Sequence, residues 1–218
     1  AMSDLTSKHI VKDTEESLKR LGLECIPLLQ VHWPCELQTP LEETMGALER
    51  LKEQGKVRHV GLCNYNSDGL ASAESYGRVA SLQTPYSIVR REFERDLMVR
   101  CEKRVGVIAY EVLCRGLLTG KYTQEPSFPD SDLRARDDRF KGGRFLRANV
   151  LVRRLEKIAK KLKVPTSALA IAWVLRKNAV TSALVGCKNR SQIQQNVRAL
   201  EVLEHRKLWP LMDQVVAA

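Results

Sequence analysis

Short apolar runs alternate along this chain with longer stretches whose apolar positions recur every three or four residues. That alternation is the pattern of βα units around a parallel sheet, so the fold class is α/β. After a polar start, Thr6 to Leu21 reads as a helix with Ile10, Val11, Leu18 and Leu21 apolar. Ile26 to Val31 reads as the first strand. Thr39-Pro40-Leu41-Glu42 then supplies an N-cap, a proline at the first helical position and a capping-box glutamate. This helix runs to about Gln54 and stops at Gly55. Val57 to Leu62 is the second strand, followed by a short helix from Ser67. Ala80 to Gln83 is the third strand, Glu92 to Arg104 a helix, and Gly106 to Tyr110 the fourth strand. Leu117 to Phe145, rich in Gly, Pro, Asp and Arg, has no clean period and reads as a long loop of the functional or mobile kind. Helices at Arg147–Leu162 and Thr166–Lys177, a fifth strand at Ser182–Val185, and helices at Arg190–Leu200 and Glu204–Val216 complete the pattern.

A single domain over residues 1–218 is expected at this length. Five βα units fall short of a complete (β/α)8 TIM barrel, which runs to about 250 residues. Five parallel strands alone would leave two open edges and an uncovered apolar inner face. Pro27, which removes a ladder donor inside the first strand, fits an edge position.

Composition narrows the function. Apolar residues make up 44% and charged residues 28%, as in ordinary globular proteins. Residues 1–20 are too polar for a secretory signal and no apolar run is long enough to span a membrane, so a cytoplasmic location is expected. The six cysteines contain no CxxC pair and no Cys/His cluster of zinc spacing, which points to reduced thiols and no metal. A net charge of +10 raises nucleic acid as a partner. The basic residues, however, are spread along helices and loops without interleaved aromatics. Solvated helix faces and a pocket for an anionic cofactor are the better reading.

His32 stands directly after the first apolar run, in Gln30-Val31-His32-Trp33-Pro34. Parallel α/β sheets and barrels place their chemistry at such carboxyl ends. Further along come Gly61-Leu62-Cys63-Asn64-Tyr65-Asn66, Val107-Ile108-Ala109-Tyr110, Gly116-Leu117-Leu118-Thr119-Gly120-Lys121-Tyr122 and Val185-Gly186-Cys187-Lys188-Asn189. In this order and at strand ends, the five passages resemble the aldo-keto reductase family, NADP(H)-dependent (β/α)8 barrels that reduce carbonyls to alcohols. The resemblance covers nearly the whole chain and starts at the third helix of the family's barrel. It implies an N-terminally shortened domain with about five of eight βα units.

The resemblance also implies roles. His32 would help form an oxyanion pocket for the substrate carbonyl, and Trp33 would line the substrate pocket. Asn64 and Gln83 would contact the nicotinamide carboxamide, with Cys63 where the family has a serine. Tyr110 would stack on the nicotinamide. Where the family continues Ser-Pro-Leu, this chain has Glu111-Val112-Leu113, a carboxylate that would repel a nearby pyrophosphate. Leu113, Gly116 and Lys121 would wrap that pyrophosphate, with Arg134 and Arg136 as candidate clamps. Gly186, Lys188, Gln192 and Asn196 would hold the adenosine 2′-phosphate and adenine, Lys188 and Arg190 favouring NADPH over NADH. The family's proton-donor tyrosine and its lysine and aspartate partners belong to βα units that no part of this chain matches. NADPH-dependent reduction of aldehydes or ketones is therefore expected to be impaired. The alternative is a catalytically inactive NADP(H)-binding or protein-interaction module. Expected partners are a small carbonyl substrate and an oligomer or partner chain covering the open barrel.

Overall fold

In a computed structural model, which describes residues 4–35, 39–102 and 104–217, the apolar runs become strands and the amphipathic stretches helices. The strands are β1 (Ile26–Val31), β2 (Val57–Cys63), β3 (Val79–Pro85), β4 (Gly106–Tyr110) and β5 (Val180–Ala183). Their order in the sheet is β1-β2-β3-β4-β5. The β1/β2 and β2/β3 pairs are parallel, and Pro27 lies in β1, at the end of that order. The helices are α1 (Ser7–Leu21), α2 (Leu41–Glu53), α3 (Ser67–Glu74), α4 (Leu97–Cys101), α5 (Gly142–Leu162), α6 (Thr166–Leu175), α7 (Arg190–Val197), α8 (Ala199–Leu203) and α9 (Trp209–Ala217).

Several boundaries differ from expectation, each for a local reason. Pro40, not Thr39, occupies the N-cap of α2, and no side chain caps that end. The helix expected over Glu92–Arg104 is a 3₁₀ turn at Glu92–Glu94 followed by the short α4, because Asp96 departs from helical angles between them. The long loop contains 3₁₀ turns at Cys114–Thr119, Leu133–Arg136 and Asp138–Phe140. Helix α5 begins at Gly142 rather than Arg147, its first turn concealed in the sequence by a glycine pair. The helix expected over Arg190–Leu200 breaks at Arg198.

The chain divides into two compact units, one formed by Ala1–Thr84 with Phe93–Ile108 and the other by Pro85–Glu92 with Ala109–Ala218. In the first unit, the apolar face of α2 buries Met45, Leu48 and Leu51, while β2 and β3 bury Val60, Leu62 and Leu82. In the second, α6 is buried on every side from Ser167 to Val174. Its Trp173 lies with Phe140, Phe145 and Tyr86 among the largest fully buried side chains, the Trp173 and Tyr86 rings 5.6 Å apart.

Gly61 shows how tightly the first unit's sheet is packed on one face. It pairs with Gln30 on one side and Ser81 on the other. The Gln30 Nε2 donates to Ser81 Oγ across it at 3.3 Å. A Cβ at residue 61 would stand 2.2 Å from that hydroxyl, closer than any side chain can approach.

Candidate functional site

In the first unit the expected residues gather where parallel strands end. His32 directly follows β1, Asn64 directly follows β2, and Gln83 lies near the end of β3. Asn64 adopts the left-handed conformation, φ 65°, which asparagine tolerates better than most residues. From there its backbone N–H donates to the Gln83 carbonyl at 2.9 Å. Its side-chain Nδ2 donates to the His32 carbonyl at 3.0 Å. One residue thus ties three strand ends together. The His32 imidazole is exposed and stacks on the Trp33 indole, centroids 5.8 Å apart, with Trp33 itself 49% exposed.

Cys63 differs from its neighbours. It is buried, and burial pushes its thiol pKa up to about 11, so it stays protonated at neutral pH. Tyr65 is buried beside it and pushed to about 12, by burial first and then by the nearby Cys35 and Cys63. Asn66 serves as the N-cap of α3, accepting the Gly69 N–H at 2.8 Å.

In the second unit, half-buried Tyr110 ends β4, its carbonyl accepting the Tyr86 N–H at 3.0 Å. Directly after it Glu111, Cys114 and Arg115 all take positive φ, joined by Gly116 at 92° and Gly120 at 85°. Each such non-glycine conformation costs about 1–2 kcal/mol, so surrounding contacts must hold it. Those contacts are ionic. Glu111 is approached by Arg90 at 2.8 Å, Arg139 at 2.9 Å and Arg115 at 3.3 Å. Asp137 joins the group through Arg139 at 2.6 Å and Arg115 at 3.6 Å. Burial works to raise the Glu111 pKa and is outweighed by Arg139 and Arg90, which hold it below the ordinary carboxylate range. Three guanidiniums thus face two carboxylates, leaving the cluster with a surplus of positive charge.

Sequence reasoning missed these arginines. The available signal was a repeated Asp-x-Arg, in which Asp132 accepts from the backbone and side chain of Arg134 and Asp137 does the same for Arg139. Arg134 is also committed inside the loop. It donates to the Tyr122 hydroxyl at 2.9 Å and lies 4.4 Å over the Phe128 ring, in a cluster where Tyr122, Phe128 and Phe140 meet edge to face.

The Leu113 carbonyl accepts the Gly116 N–H at 2.9 Å and the Leu118 N–H at 3.3 Å, closing the turn. A Cβ on Gly116 would lie 3.1 Å from the end of Lys121, so the structure brings Gly116 and Lys121 together. Lys121 remains exposed at its ammonium end, 4.7 Å over the Tyr122 ring.

Lys188, Gln192 and Asn196 share one face, as their spacing predicts. Asn189 caps α7 by accepting the Gln192 N–H at 3.0 Å. The Gln192 Oε1 in turn accepts the Lys188 N–H at 2.7 Å, and Asn196 Nδ2 donates to the Cys187 sulfur at 3.2 Å. Both amides brace the exposed Gly186–Lys188 turn, leaving the Lys188 ammonium outside it. Arg134 chiefly, with a small contribution from Lys188, holds Asp132 below the ordinary carboxylate range. The group that these residues would suit is anionic: a glycine turn at positive φ flanked by an ammonium, and a capped helix start with a second ammonium.

Comparison with known proteins gives the family. A model of the Aldo/keto reductase family matches residues 1–216. Aldo-keto reductase YhdN of Bacillus subtilis is 35% identical over 188 residues, covering 85% of this chain and 56% of the relative. Aldo-keto reductase yakc [NADP(+)] of Schizosaccharomyces pombe is 34% identical, covering 89% of this chain and 58% of the relative. The NADH-specific methylglyoxal reductase of Escherichia coli is 29% identical, covering 91% and 61%. Among solved structures, the glycerol dehydrogenase AKR11B4 from Gluconobacter oxydans superposes with a TM-score of 0.88 at 32% identity, over 98% of this chain and 65% of that one. The chain thus spans 56–61% of the length of these curated relatives.

Proposed function

Because this chain belongs to the aldo/keto reductase family, we propose that it binds NADP(H) and reduces aldehydes or ketones to alcohols, with impaired turnover. The observation that carries this reading is the Asn64 tie, which gathers His32, Asn64 and Gln83 at adjacent strand ends. When bound, the nicotinamide supplies the hydride. The chain's own residues bind, orient and polarise. His32, exposed on β1's end, donates a hydrogen bond to the carbonyl oxygen as negative charge builds there, and Trp33 borders the substrate. Asn64 and Gln83 offer side-chain amides to the carboxamide. The Cys63 thiol is a weaker partner than the hydroxyl it replaces, and its burial weakens it further.

In the second unit, Tyr110 offers a ring face to the nicotinamide. Leu113, Gly116 and Lys121 receive the pyrophosphate, whose charge the arginine surplus around Glu111 favours. Gly186, Lys188, Gln192 and Asn196 receive the adenosine end, the Lys188 and Arg190 charges selecting the 2′-phosphate of NADPH. The relatives include both an NADP(+) and an NADH enzyme, so this selection rests on those two residues. Both units belong to one reductase-like domain in this reading, since the family model runs through both.

The tyrosines bear on turnover: Tyr65, beside the strand ends, is pushed to about 12, mainly by burial, so it releases a proton poorly near neutral pH, and the Tyr122 hydroxyl accepts from Arg134 within the long loop. Lacking a positioned general acid typically costs about 10²–10⁴ in rate. The second reading, a cofactor-binding or interaction module without turnover, is favoured by the same tyrosines.

The test is an NADPH fluorescence titration followed by a reactive aldehyde in the same cuvette. Saturable binding with slow oxidation is expected, with Lys188→Ala weakening NADPH more than NADH. Absence of binding refutes the proposal. Rapid NADPH oxidation that His32→Ala abolishes refutes the impairment, and binding with no oxidation at all selects the module.

A further inference from the structure

A groove of about 590 Å³ runs along α5 in the second unit. It borders the turn at Cys114–Thr119 through Leu117 and shares Arg139 with the Glu111 cluster, but its walls are otherwise α5, Ile88–Val89 and the end of α9. Helix α5 buries Phe145, Val152 and Leu155 in the core, and carries a second apolar line outside it. On that line Leu146 is 61% and Val150 54% exposed. Arg147, Val150, Leu151 and Arg154 follow at helical spacing on one face, so two guanidiniums about 10 Å apart along the axis bracket an apolar floor.

The charges around this floor are not equivalent. Arg139 is committed to Glu111 and Asp137, and Arg144 to Asp138. Arg147 and Arg154 line the groove and, among the described residues, face no carboxylate. Among the described residues, no acidic and no aromatic side chain lines it. The missing aromatics disfavour stacked bases as occupants. A second copy of a chain with net charge +10 would bring like charge to an arginine rim. What remains complementary is a small anion with an alkyl tail. A carboxylate matches the guanidinium fork with two parallel hydrogen bonds.

We infer that this groove binds a free medium-chain alkyl carboxylate, its tail on Leu146, Val150 and Val215 and its headgroup on Arg147 or Arg154. The experiment is isothermal titration of the full chain with decanoate and with decanol. Decanoate saturates at one site and binds about tenfold or more tighter than decanol, as loss of a charge-assisted pair predicts. The double substitution Arg147→Gln/Arg154→Gln weakens decanoate by a similar factor and leaves decanol and NADPH titrations unchanged. A second variant, Val150→Asp, puts a like charge against the tail and abolishes decanoate binding, with an unchanged thermal melt showing that the fold persists. Equal affinity for decanol, decanoate binding that survives the double substitution, or no saturation overturns the assignment. A chain mass that doubles with concentration and reverts in Val150→Asp also overturns it, giving the groove to a second copy.

Discussion

In the first unit the strand ends that gather His32, Asn64 and Gln83 are fixed by backbone hydrogen bonds and by side chains that burial keeps neutral. In the second, the turn after β4 is fixed by arginines closing on Glu111 and Asp137. The first solution needs little charge because adjacent parallel strands already align their ends, so one asparagine completes the arrangement. In the second, three non-glycine residues stand at positive φ just beyond the end of β4, and ion pairs hold them. Regular backbone and compensated charge are thus alternative ways to hold a binding surface. They fail under opposite conditions.

The largest expected effect is at alkaline pH. Cys63 and Cys101 are pushed from 9.0 to about 11 and Tyr65 from 10.0 to about 12, each mainly by burial. Their folded values lie above the unfolded ones, so this stabilisation is complete below pH 9 for the thiols and below pH 10 for Tyr65, and is lost as pH climbs towards 11 and 12 respectively. Each contributes about 2–3 kcal/mol. All three lie in the first unit. In the second unit Cys114 is also raised by burial but eased by Ser87 and Arg139, and the ion pairs around Glu111 and Asp137 use arginine, which keeps its proton there. Hydrogen-exchange protection, corrected for intrinsic rate, should disappear first from residues 4–84 and 93–108. Simultaneous loss in both units would break the contrast.

Next in size is Trp173→Ala, which removes the fully buried indole of α6 and should cost about 3–5 kcal/mol, read by chemical denaturation. Exchange should rise across residues 85–92 and 109–217 with the first unit spared; equal rises would show that the units unfold as one. Glu111→Gln should cost about 1.5–3 kcal/mol, since it leaves three arginines without their shared carboxylate. Glu111 and Asp137 are held below their ordinary values, so their contribution is present above about pH 4.5 and lost as pH falls further. The substitution should therefore flatten the acid limb of the stability profile and leave the alkaline limb intact. The smallest effect is Asn64→Ala, about 1–2 kcal/mol from a lost hydrogen bond and an unfavourable φ. Asn64→Gly should recover the φ part only, and full recovery would mean that the bond to His32 contributes nothing.

The same contrast explains what could be read from sequence. His32, Asn64 and Gln83 were legible because an apolar run that stops at a polar residue marks a strand end, a local signal. The resemblance, not spacing, then supplied their roles. The Glu111 cluster was barely legible: two of its three arginines come from positions 21 and 28 residues away, and the local signals, Arg115 at i+4 and the Asp-x-Arg repeat, do not announce that pairing. The burial of Cys63 escaped for another reason. Residues Val60 to Cys63 are all buried, so the alternation that usually separates strand faces is absent. The early start of α5 was hidden by glycines whose helix cost tertiary packing overrides.

Gly61 has a consequence for how this chain can change over generations. Any side chain there would collide with the Ser81 hydroxyl and press on Gln30, which bridges to it. A replacement at 61 would force the Ser81 hydroxyl to turn away and Gln30 to give, or a change at one of those two positions. Substitutions at these three positions, far apart in the gene, are therefore expected to arrive together.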